Sequence, residues 1–169
     1  MKYEFTGETK ELLGVTLKRI RAVEDIEPYG VKAGDLGGWI ESEKNLSQDG
    51  DAWVYENATI CENATVGGNA TVGGNVTVGD NAKVGGYATI SGDAKVRGNA
   101  DYIIFKNWWS SGRYFTWTRS NNKWSVGCFY GSGEELIAKA YKDSEKSGRE
   151  YERVVNYVES ILKEENNNK

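Results

Sequence analysis

The chain has 169 residues, 38% of them apolar, and a formal charge of −4, a balance that fits one compact assembly rather than a disordered chain. No apolar run approaches the ~18 residues of a membrane span, and the polar start MKYEFTGETK lacks the pattern of a secretory leader, so a cytoplasmic location is expected. Histidine is absent and only Cys61 and Cys128 are present, which excludes imidazole acid–base catalysis, His-based zinc sites and a disulfide framework; both thiols read as ordinary small side chains, and no cofactor or metal is expected.

Residues 1–48 read as an N-terminal cap. A short YEF strand precedes the alternating stretch LGVTLKRIRAV, which predicts a hairpin covering the first turn of whatever follows. The turn-rich linker EDIEPYGVKAGDLGG carries the only proline, and Trp39, Ile40 and Leu46 then lead the chain onward.

Residues 49–101 form a ladder with a six-residue period. Val54, Ile60, Val66, Val72, Val78, Val84, Ile90 and Val96 recur at that spacing, each preceded two places earlier by Ala or Val and, before that, usually by Asn or Asp. Such a period is the signature of a parallel β-helix built from hexapeptides. Residues two apart on a strand share a face, so the Ala and Val pairs point inward while Thr59, Thr65, Thr71, Thr77, Lys83, Thr89 and Lys95 point out. Asn and Gly at the corners tolerate the left-handed backbone that corners need. The Gly pairs at 67–68, 73–74 and 85–86 belong to this period and not to a phosphate-binding loop.

Residues 102–169 change character. Tyr102–Tyr130 holds ten of the chain's twenty aromatic residues together with Lys106, Arg113, Arg119 and Lys123 and no acidic residue. Two strands, RYFTWTR and KWSVGCFY, are predicted around a tight turn at Asn121–Asn122. Alternation then puts Arg113, Phe115, Trp117 and Arg119 on one face, and Trp124, Val126, Cys128 and Tyr130 on one face of the partner strand. Ser132 with Glu135, and Ser147 with Glu150, are capping boxes that predict two helices. Leu136, Ile137, Ala140 and Tyr141 stripe the first; Tyr151, Val154, Val155, Val158, Ile161 and Leu162 stripe the second, and the tail ENNNK is expected to fray.

The string GDLGGWIESEKNLSQDGDAWVYENA, leading into NATV and NAKV units, resembles the left-handed parallel β-helix proteins of the hexapeptide-repeat superfamily, and within it a group of uncharacterised phage and prophage proteins whose C-terminal segment is similar around VGCFYG. The resemblance implies a mainly β fold with a left-handed helix of about three turns, roughly 15 Å of stack, and an α+β C-terminal segment. The left hand is implied by the resemblance alone, since parallel crossovers generally prefer the right. It also implies a homotrimer and, for a phage-encoded protein, action in the host cytoplasm.

Three functional readings follow. The first is a non-catalytic accessory binding protein that sequesters a small anionic, nucleotide-like ligand or blocks a host defence protein. Its candidate ligand-binding residues are Trp108, Trp109, Arg113, Tyr114, Trp117, Arg119, Lys123, Trp124 and Tyr130, because guanidinium forks suit phosphate oxygens and aromatic faces stack on bases. The competing view of the same residues is that they fill a small core. The second reading is a structural trimerising scaffold. The third is a degenerate acyltransferase-like enzyme, disfavoured because the acyltransferases of this fold use a histidine base. Thr columns for ice binding are broken on every face. Nucleic-acid binding is disfavoured by the overall charge and by the charge of the repeat, three basic residues against seven acidic.

Overall fold

The computed structural model describes residues 1–168, and Lys169 lies outside the described residues. The chain opens with an antiparallel hairpin of β1 (Tyr3–Leu12) and β2 (Val15–Ala22), followed by β3 (Leu36–Ile40). Eight two-residue strands then come at the hexad spacing: β4 (Trp53–Val54), β5 (Thr59–Ile60), β6 (Thr65–Val66), β7 (Thr71–Val72), β8 (Thr77–Val78), β9 (Lys83–Val84), β10 (Thr89–Ile90) and β11 (Lys95–Val96). They stack in parallel as a β-solenoid with three faces. Face A is β3-β5-β8-β11, face B is β4-β7-β10, and face C is β6-β9 extended by a bridge from Leu46 to Val66.

The inward residues form one continuous core in which Ile60, Val72, Val78 and Ile90 are fully buried, as are Ala58, Ala70, Val76 and Ala88 two places before them on the ladder. The first coil begins earlier than the hexads do: Trp39 pairs with Thr59 and Ile40 with Ile60. At the corner of that coil, the Asn45 side chain donates through Nδ2 to the Ala64 carbonyl at 2.8 Å and the Glu62 carbonyl at 3.1 Å. It takes the place of a ladder N–H where Glu43–Asn45 turn too tightly to supply one. Two outward residues are covered rather than exposed. Trp53 joins the core beside Ile26 and Val31 of the N-terminal linker, and Thr59 is only 3% exposed.

Both ends of the stack are closed, as solenoids require. At the N-terminal end β2 pairs antiparallel with β3, the Tyr3 hydroxyl donates to the Leu46 carbonyl (2.9 Å), and the buried Lys2 ammonium to that of Gly50 (3.1 Å). At the other end, three N–H groups that in lower coils bond to the next coil meet side chains instead, one on each face. Lys83 N–H donates to Asn99 Oδ1 (3.3 Å), Thr89 N–H to Thr116 Oγ1 (2.9 Å) and Lys95 N–H to Ser120 Oγ (2.7 Å).

The last two of these acceptors belong to a four-stranded antiparallel sheet, β12 (Tyr102–Lys106), β13 (Tyr114–Thr118), β14 (Lys123–Val126) and β15 (Phe129–Gly131), and to its β13–β14 turn. Two strands were expected here and four are present. YIIFK pairs with YFTWT as β12, and KWSVGCFY is split by a two-residue turn at Gly127–Cys128, with Gly127 at φ 58. The split overturns the expected common face. Trp124 packs toward the helices while Tyr130 points to the solenoid, where its hydroxyl oxygen would lie 1.9 Å from a Cβ placed on Gly92 (φ 75). The sheet is the cap, and the helices stand behind it.

Helix α1 (Gly133–Asp143) starts at the expected box, with Ser132 Oγ accepting Glu135 N–H (3.2 Å) and the Glu135 carboxylate accepting Ser132 N–H (2.7 Å). Helix α2 (Glu145–Asn167) starts three residues earlier than Ser147 predicts, because Ser144 Oγ takes the Ser147 N–H at 3.1 Å and leaves one residue between the helices. That tight corner brings Gly148 against the Tyr141 ring, where a Cβ would approach to 2.2 Å. The tail expected to fray continues α2 as far as Asn167.

Candidate ligand-binding site

The sheet of the cap has two chemically different sides. Thr116, Thr118 and Ser125 face the solenoid end, where polar atoms are needed to satisfy its open ladder, and all three are buried. Phe115, Trp117 and Trp124 face the helices and form a second core with Trp109, Leu136, Ala140, Tyr151, Val155 and Val158. Within it, Trp109 meets Tyr151 edge-on with centroids 4.9 Å apart, and Phe115 meets Tyr151 at 5.2 Å.

The nine candidate residues do not meet in one cavity. Trp109, Trp117 and Trp124 are core side chains, 8%, 1% and 1% exposed. Trp117 donates its indole N–H to Asn122 Oδ1 at 2.8 Å, whereas the Trp109 Nε1 is buried with no hydrogen-bond partner. Arg119 stacks on Trp117 and spends its guanidinium on Glu165 (2.5 Å) and on the Ala100 carbonyl (3.0 Å), so it staples α2 to the solenoid end. Tyr114 stacks flat on Tyr87 of the solenoid at 4.5 Å, with the Lys106 ammonium 5.7 Å from its ring. Tyr130 accepts from Asn121 Nδ2 at 3.1 Å, and burial together with Asp93 raises the pKa of its hydroxyl. Lys123 pairs with Thr118 in the sheet, and Trp108 projects from the β12–β13 loop.

Of the nine, Arg113 lines a cleft in the cap. This cleft, of about 310 Å³, lies between the β12–β13 loop, the Gly127–Cys128 turn and α1. Its loop wall is held by the buried Asn107, whose Oδ1 accepts from the N–H and hydroxyl of Ser110 (2.9 and 3.0 Å) and whose Nδ2 donates to the Tyr151 hydroxyl (3.2 Å). Lys139 and Asp143 of α1 provide the facing wall. Neither Arg113 nor Lys139 makes an ion pair among the described residues. Burial raises the Tyr151 pKa, the Asn107 hydrogen bond opposes the shift, and Asp143 and Arg113 act on it in opposite directions. Sequence reasoning missed Lys139 because it sits on the polar side of a helix stripe. It missed Asn107 as well, whose Oδ1 takes the N–H three residues on in a loop that forms no helix.

The fold and its ladder therefore define a hexapeptide-repeat β-solenoid with sealed ends. Residues 57–92 match the family model described as bacterial transferase hexapeptide (six repeats), a stretch that covers the second and third coils, β5 to β10. No curated protein matches the chain. Among the described residues no helix is long and apolar enough to cross a membrane.

Proposed function

We propose that the protein is a non-catalytic binding protein that holds a small anionic ligand, no larger than a mononucleotide, in the cap cleft. The observation that carries this reading is the pair Arg113 and Lys139, two cations without ion-pair partners among the described residues in one small cleft, where they outnumber its single carboxylate, Asp143. A guanidinium fork takes phosphate or carboxylate oxygens in two parallel bonds, and an ammonium adds a point charge. The Ser110, Ser111 and Ser147 hydroxyls are within the same lining, and the volume stands at the lower end of small-molecule sites. A chain without histidine has no imidazole to activate an acceptor, which supports binding over transfer. The assembly is a homotrimer acting in the cytoplasm; for a phage-encoded protein, the ligand would be a nucleotide signal of host defence.

Calorimetric titration with adenosine monophosphate, adenosine and inorganic phosphate tests the reading. The expected result is that the phosphate-bearing ligands bind and adenosine binds at least tenfold more weakly, with Arg113→Ala/Lys139→Ala losing tenfold or more at unchanged melting temperature. Equal affinity of wild type and double variant would refute it. A structural scaffold is the second reading, favoured by the use of Trp109, Trp117 and Trp124 as core; it expects no ligand in any titration.

A further inference from the structure

A second cleft, of about 500 Å³, opens between the tip of the β1–β2 hairpin and the corner where face A ends. It is separate from the cap cleft and shares no residue with it. Leu12, Leu13 and Val15 make its apolar wall, and Thr77 and Cys61 lie at its floor.

Leu13 carries two costs at once. It holds φ 52 beside Gly14 at φ 82, the left-handed pair of a two-residue turn that Asn-Gly satisfies best and that strains a leucine at its Cβ. It is also 96% exposed, beside a Leu12 that is 38% exposed. An asparagine would relieve both. Strain and apolar exposure kept together at the mouth of a cleft mark a position held for function.

The opposite wall sorts its charges along the solenoid axis. Lys95 and Arg97 stand in the uppermost coil, above Thr77 and Gly79, while Asp80 and Glu62 share the adjacent corner column one and two coils lower, at a step of about 4.8 Å per coil. The Glu62 carboxylate is held in place by the Asp80 N–H, and the Asp80 backbone itself is left-handed, at φ 52. None of the four side chains forms an ion pair among the described residues. A simple anion would meet a wall with no net charge, whereas a ligand carrying both charges about 5–10 Å apart would meet complementary ends. Extended peptide advances about 3.3–3.6 Å per residue, so two or three residues span that separation and a single amino acid does not.

We propose that this cleft binds a short apolar peptide with free termini, its carboxylate on Lys95 and Arg97, its ammonium on Asp80 and Glu62, and its side chains against Leu12 and Leu13.

The probe is Leu-Leu-Leu, titrated calorimetrically against the full chain beside its N-acetylated and C-amidated forms. Binding is expected for the free peptide, with at least a tenfold loss on blocking either terminus. Leu13→Asn should weaken binding about tenfold while raising the melting temperature, Lys95→Ala/Arg97→Ala should remove the difference between free and amidated peptide, and Arg113→Ala/Lys139→Ala, which empties the cap cleft, should leave peptide affinity as in wild type. Insensitivity to both blocking groups, or full affinity in Leu13→Asn, would overturn the proposal. So would a Leu13→Asn variant that changes oligomeric state in sedimentation but binds peptide normally, because the tip would then be a contact between subunits.

Discussion

Thr116→Val separates a sealed ladder from mere contact between cap and solenoid. The substitution keeps shape and β-branching on a central strand but removes the acceptor of the Thr89 N–H. Thr116 is 0% exposed, so water cannot replace the lost oxygen, and a buried donor without a partner costs about 1–3 kcal/mol. Ser120→Ala removes the equivalent acceptor for Lys95, yet both residues are exposed and water can take over, so its expected cost stays below about 0.5 kcal/mol. The assay is urea unfolding of both variants, with amide exchange at Thr89 as the local readout. A midpoint shift confined to Thr116→Val, with faster exchange at Thr89, is expected. Equal shifts, or the reverse order, would refute the account of how the stack is terminated.

Trp109→Phe should cost well under the 3–5 kcal/mol typical of deleting a core aromatic, because the smaller ring removes an indole N–H that has no partner; thermal unfolding checks this, and a loss above about 3 kcal/mol would contradict it. Gly92→Ala should lower the melting temperature without releasing the cap, since alanine is strained at φ 75 and its Cβ would push the half-exposed Tyr130 ring aside; an unchanged melting temperature would contradict this. Burial pushes the Tyr3 hydroxyl up to about 12 from an ordinary value of 10. The folded state therefore favours the protonated phenol, so this contribution is complete below pH 10 and fades by about 1.4 kcal/mol per pH unit as the pH climbs toward 12. Tyr3→Phe should flatten that alkaline loss in denaturant titrations between pH 9 and 12.

The solenoid was legible because its information is periodic: every inward Val or Ile repeats the same local choice, and a period of six admits few other folds. The ends were not, because termination depends on single side chains whose targets are set by the tertiary fold. Nothing local marks Asn99, Thr116 and Ser120 as acceptors for Lys83, Thr89 and Lys95, nor Asn45 as a substitute donor. Strand β12 was hidden because YIIFK is a short apolar run without alternation, and the Gly127–Cys128 turn because alternation can be counted straight through a two-residue loop. The aromatic and basic cluster divides between the core and the surface of the cap. Three tryptophans serve the core, Arg119 is tied to Glu165, and Arg113 lines the cap cleft together with Lys139 of α1, which composition did not single out.

Native mass spectrometry of protein purified gently from cells, with the denatured extract analysed alongside, tests the central claim most directly. The expected result is a discrete closed oligomer carrying one small anionic adduct per subunit, retained by wild type and lost from Arg113→Ala/Lys139→Ala. Open-ended assemblies, or a discrete oligomer whose adduct persists in the double variant, would contradict a sealed solenoid that binds an anion through its cap.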